Sequence, residues 1–206
     1  MKDQDIHAEL SSIRDLMERS SKFISLSGLS GIMAGIYALL GAGLAYNIVY
    51  KEHDGVVGRV YYENAPQIIP QLFLIALFVL ILSLATGIIL SYRKAKKMGQ
   101  SFWNTSSKRL LINLAIPLVT GGLFILILFL QGRYSTISSA SLIFYGLALV
   151  SASHYTYKGV RGLGILEILL GLLAALIPGY GLIFWATGFG LLHIIYGTVM
   201  HFRYDK

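Results

Sequence analysis

One carboxylate carries most of the chemical information in this chain. Glu167 is the only acidic residue between Glu63 and Asp205, and it lies inside the apolar run 162–177. In a hydrocarbon setting an ionised side chain is costly, so such a group is kept neutral, paired or facing a cavity. The turn-like Pro178-Gly179 places a partner. Glu167 stands about 12 residues before that break and His193 about 14 after it. At ~1.5 Å per residue both fall roughly 17–21 Å from the turn, at nearly one depth in antiparallel neighbours. A Glu167–His193 pair is therefore expected, with His154 and Asn113 as candidates for the same layer.

Several chemistries suit these residue types. Glu167 and His193 would relay protons or bind a cation during transport. Glu167, His193 and His154 supply three ligands for a metal, although no HExxH-like spacing accompanies them. His154 and His193 would serve as axial ligands to a haem held between helices. The structural alternative is a Glu–His hydrogen bond that locks two helices together. With a single acid in the spans there is no paired-carboxylate or Ser/His/Asp arrangement, which argues against hydrolytic or glycosidic activity. The chain has no cysteine, so thiolate metal sites and cysteine nucleophiles are excluded. No feature identifies a cofactor.

The elements that must hold these residues are membrane helices. Only 13 % of the 206 residues are charged and 55 % are hydrophobic, whereas soluble domains carry ~25 % charge. The charges are confined to islands between uncharged stretches, each long enough to cross a hydrocarbon core of ~20 helical residues. Six spans are expected, at about 23–50, 68–92, 110–131, 137–155, 160–177 and 181–202. The fold class is an all-α integral membrane protein with no soluble domain, between an arm at 1–22 and a tail at 203–206. The opening Met1–Asp5 is acidic and polar, so a cleaved signal peptide is not expected.

Basic residues set the orientation. Of the 17 Lys and Arg, all but Lys51, Arg59 and Arg133 fall on the side that carries both termini. The positive-inside rule places that side in the cytoplasm, in the inner (plasma) membrane. The 93–109 loop joins Arg93, Lys94, Lys96, Lys97, Lys108 and Arg109 to Phe102-Trp103, a composition suited to anionic lipid headgroups. The net charge of +7 is explained in the same way, and no nucleic-acid recognition motif is present. The loop 51–67 on the other side reads as a connector with interfacial tyrosines, or as a ligand lid.

In the arm, Ile6, Leu10, Ile13 and Met17 form a short apolar stripe. It reads as a helix on the membrane surface or beneath the bundle, or as a seam that joins protomers or docks a membrane partner. Gly31 and Gly35, Gly164 and Gly171, and Gly190 and Gly197 recur at helical spacings, where backbones approach closely. Packing within the monomer and between copies in a homo-oligomer are both open. Pro117 ahead of Gly121-Gly122 suits a kink.

Leu142-Ile-Phe-Tyr-Gly146 and Leu182-Ile-Phe-Trp-Ala186 begin two spans of the same direction, each followed by a histidine. The stretch 164–178, GILEILLGLLAALIP, followed by Gly188 and Tyr196-Gly197, resembles a repeat of the small six-helix membrane proteins associated with acid resistance. The resemblance covers about one hairpin in three and rests on Gly, Leu and Pro positions; Glu167 is outside its pattern. It implies an architecture of paired helical hairpins and assigns no role. The leading expectation is a small transporter or channel-like protein, against a non-transporting module that acts through a partner or by oligomerisation.

Overall fold

The computed structural model describes residues 23, 25–50 and 65–205. The arm 1–22 and nearly all of the loop 51–67 lie outside the described residues. Among the described residues, six helices are long and apolar enough to cross a membrane. They are α1 (Gly28–Tyr50), α2 (Ala65–Lys97), α3 (Thr105–Leu130), α4 (Ile137–Ala152), α5 (Gly159–Leu176) and α6 (Gly181–Tyr204). No strand occurs among the described residues.

Local chemistry explains the boundaries. α3 begins in a capping box: the Asn104 side chain accepts from Ser107 N–H while Ser107 Oγ accepts from Asn104 N–H. Gly132 and Gly179 adopt φ of +71° and +96° in the two turns flanking the α4–α5 pair, a region other residues rarely enter. Two boundaries differ from the sequence reading. The basic residues of 93–109 do not form a loop; α2 continues to Lys97 and α3 starts at Thr105, so most ride on helix ends. The first helix starts at Gly28, not near residue 23. Asp205 accounts for that start, since its carboxylate accepts from Gly28 N–H at 2.8 Å and from Ser27 Oγ at 3.3 Å. A carboxylate is the natural cap for the positive end of a helix.

Close packing is organised by glycine. On α1, Gly28, Gly31 and Gly35 face Gly197 and Gly190 of α6; a Cβ on Gly197 would sit 2.5 Å from Ile32 N and 2.7 Å from Gly28 O. On α4 and α5, Gly146 and Gly164 lie against each other's backbone carbonyls, and Gly171 lies against Ser139 and Ile143. All six glycines singled out from the sequence therefore stand at contacts within the monomer. α5 packs chiefly on α4, and α6 chiefly on α1. The Pro178-Gly179 turn is present, yet α5 and α6 are only secondary neighbours. Glycines match across these non-sequential and sequential pairs alike, and close backbone approach outweighs the short connection.

The helices divide into a group α1–α2–α6 and a group α3–α4–α5, which meet where α6 crosses α4 and α5. α2 and α3 expose most of their large apolar side chains, Phe78, Ile81, Ile112 and Leu123 among them. Such faces suit lipid rather than water. Pro117 lies inside an uninterrupted α3.

Asp205 also sets a pH dependence. Its Oδ1 accepts from Lys94 Nζ at 2.6 Å, and His201 Nδ1 lies 3.3 Å from Oδ2. Burial pushes the carboxyl up, but the bonds from Lys94 and His201, the Lys94 charge and the Gly28 N–H outweigh it, and the net shift is downward. A depressed carboxyl contributes stability that is present above its unfolded value and lost as pH falls through the folded one. Stability of the wild type should therefore fall only below the ordinary carboxylate range. Asp205→Asn should lower stability by about 1–3 kcal/mol at neutral pH and flatten that acid limb. Chemical denaturation from neutrality down to and below the ordinary Asp value of about 3.9 checks both.

Candidate functional site

α6 is not a uniform helix. Between Gly181–Trp185 and His193–Tyr204 it passes through seven residues of π-helix, Ala186–Leu192. A π-segment inserts an extra residue per turn and is rare outside functional sites. Two glycines in it make room on opposite sides. A Cβ on Gly190 would meet Leu39 of α1 at 2.5 Å, and one on Gly188 would collide with Glu167 Oε2 of α5 and with Leu142 of α4. Gly188 is thus the residue that lets α6 close over the carboxyl.

Glu167 is completely buried, and His193 is 6 % exposed. Their nearest approach is 3.4 Å, from His193 Nδ1 to Glu167 Oε1. That is an ion-pair distance but not a hydrogen bond: neither carboxyl oxygen has a hydrogen-bond partner. The reason is that Nδ1 is already used. It lies 2.9 Å from the Gly188 carbonyl, which can only accept, so Nδ1 carries hydrogen and donates there. The other ring nitrogen, Nε2, is 2.7 Å from Tyr145 Oη of α4. The imidazole is held from both ends, while the carboxyl beside it is held by nothing.

A buried polar atom without a partner costs on the order of 1–3 kcal/mol, and more when charged. The expectation that a Glu–His hydrogen bond ties two helices is thereby corrected. What the geometry offers is a buried carboxyl 3.4 Å from an imidazole, with Leu142 and Gly188 against the carboxyl and Tyr145 against the imidazole. Aromatic rings continue the site along α6 in the direction of its start. His193 stacks near Phe189 at 6.1 Å between centroids, Phe189 meets Trp185 at 5.2 Å, and Tyr145 packs on Phe189 at 5.0 Å.

The other predicted members are elsewhere. His154 is exposed, in the 3-10 turn Ser153–Tyr155 after α4. It does not join the Glu167–His193 layer, because α4 ends before it and the turn carries it to the membrane edge. Asn113 is half-buried on α3 and donates to Arg109 O at 2.8 Å, with Ser151 Oγ at 3.5 Å from its Oδ1. It serves its own helix and the α3–α4 contact. Among the described residues no three His, Cys, Asp or Glu side chains form a metal-binding group. The Glu167–His193–His154 metal set is therefore not assembled, and of the two histidines suggested for a haem, His193 is buried and His154 exposed. Asn47, Thr120, Thr187 and Thr198 each return a bond to the carbonyl four residues earlier, so they add nothing to the site. Tyr145 and Gly188 were not singled out as site residues by the sequence reading. The phenol within Leu142–Gly146 and the paired glycines 188 and 190 were the available signals.

Comparison with protein-family models, with curated proteins and with solved structures returns no match to this chain.

Proposed function

We propose that this protein is a small multi-pass transporter whose coupling proton resides on the Glu167–His193 pair. The observation that carries the reading is the carboxyl itself: fully buried, without a hydrogen bond, beside an imidazole engaged at both nitrogens. A group held only for packing would be replaced by an apolar side chain at no loss, since buried ionisable pairs rarely stabilise a fold. Residues that cost stability are kept for what they do. The π-segment supports the same reading, because its looser backbone is where α6 can change register over Gly188.

In this reading the membrane is the inner (plasma) membrane, with both termini cytoplasmic. Exposed Arg93, Lys96, Lys97, Lys108 and Arg109, with Trp103 beside them, then sit against anionic lipid headgroups. The transported substrate is a separate question. The competing reading is a module that transports nothing and works through a membrane partner or a second copy. The complete closure of the bundle over Glu167 favours it. An occluded intermediate of a transport cycle is closed in the same way.

Proteoliposomes containing a trapped pH indicator separate the two. After an imposed pH step, wild type should equilibrate protons faster than empty vesicles, and Glu167→Gln should match the empty ones. Identical fluxes for wild type and Glu167→Gln would leave only the module.

A further inference from the structure

Ahead of α1, Phe23, Ser25 and Ser27 are not helical, yet they are buried. Phe23 is 5 % exposed and Ser25 1 %. Groups of Phe23, Ser25, Leu26 and Ser27 are tied to several different elements. Phe23 N–H donates to Tyr155 O at 2.7 Å, and Thr156 Oγ1 donates to Phe23 O at 3.0 Å, both in the connection between α4 and α5. Its ring packs edge-on against Phe102. Ser25 Oγ donates to Gln100 Oε1 at 3.2 Å in the α2–α3 turn. Leu26 O accepts from Lys94 Nζ at 2.8 Å, and Ser27 Oγ donates to Asp205.

Lys94 joins the two helix groups at this face. Besides Leu26 and Asp205, its ammonium reaches Tyr157 Oη at 3.3 Å, and the Tyr157 ring lies 4.2 Å from that of Tyr204. Beneath Tyr157 is a small apolar cluster of Leu149, Val160 and Leu163, against which Tyr145, Tyr157 and Tyr196 all pack. Tyr145 is the phenol bonded to His193. The hydroxyl of Tyr196 is buried in this region with no hydrogen-bond partner. Glu167 lies only ~12 Å below this face, about eight residues into α5 at ~1.5 Å each.

We infer that Phe23 and residues 25–27 form a strap that gates access to Glu167 from the face carrying Lys94 and Asp205, with the Lys94–Asp205 pair as its latch. The inference rests on the reading of Glu167 as a functional site. Releasing the latch removes the bonds to Leu26 O and Ser27 together, and the two helix groups then part over the tyrosine-lined layer that leads to Tyr145 and Glu167. The latch has the composition a gate requires, since its bonds are few, polar and at the membrane edge, where water can replace them.

The absence of cysteine in the chain makes the test direct. Glu167→Cys is reconstituted in sealed vesicles and exposed to a charged, membrane-impermeant thiol reagent from either face. Alone it should react slowly. Adding Asp205→Asn, or Thr156→Val, should speed labelling from the Lys94–Asp205 face by about tenfold, as expected when a minor open state becomes populated. Thr156→Val removes a single bond to the strap and decides the matter if Asp205→Asn does not fold. Unchanged labelling in the folded variants, or faster labelling from the opposite face alone, would overturn the gate. The readout is independent of flux. Faster labelling in a protein that moves no protons would keep the gate and remove the transporter, and the converse holds as well.

Discussion

Glu167→Met should unfold at a higher temperature than wild type, with a gain of about 1–3 kcal/mol. Methionine nearly matches the volume of glutamate and has no polar oxygens to leave unpaired, and Leu142 and the Gly188 hollow supply apolar contact. Glu167→Gln should be close to neutral, because an amide in the same place still lacks partners. Both substitutions should abolish proton movement. Detergent-phase thermal unfolding of the three proteins measures the stability part. A loss of 1–3 kcal/mol in both variants would mean that the carboxyl ties helices together, the role its geometry argues against.

The second large effect lies at the α1–α6 seam. Gly197→Val should cost at least about 3 kcal/mol, or prevent folding, because the added Cβ meets backbone rather than flexible side chains. Ile32 N and Gly28 O would be 2.5 and 2.7 Å from it, and neither can move without displacing α1. Gly43, Gly87 and Gly122 provide the contrast, since a Cβ there would meet nothing within 4 Å. Alanine at those three positions should leave unfolding unchanged or improve it slightly through helix propensity. If Gly197→Val and Gly87→Ala behaved alike, the seam would not be the close contact described.

The spans were legible in the sequence because length and apolarity alone define them, and Glu167 stood out because charge is so scarce. Partner choice was harder to read. The short Pro178-Gly179 connection suggested that α5 and α6 are principal neighbours, but the glycines of α6 complement those of α1, far away in sequence. The start of α1 was misplaced for a related reason. Phe23–Ser27 is apolar enough to belong to a span, and the carboxylate that stops the helix at Gly28 comes from residue 205. Within the site, Glu167 and His193 were placed at one depth by counting at 1.5 Å per residue. No counting rule revealed the π-segment, which turns the Nδ1–H of His193 to Gly188 instead of Glu167. Lys94 was one of six basic residues between 93 and 109, and nothing local marked it as the partner of Asp205.

In the proposed transport role, Glu167 takes up and releases a proton while the protein remains folded. Infrared difference spectroscopy of the reconstituted protein, stepped between mildly acidic and mildly alkaline pH, tests it most directly. A carboxylic-acid carbonyl band from a water-poor environment should appear and disappear reversibly and be missing in Glu167→Gln. A spectrum with no such band change, or one that Glu167→Gln leaves intact, would contradict it.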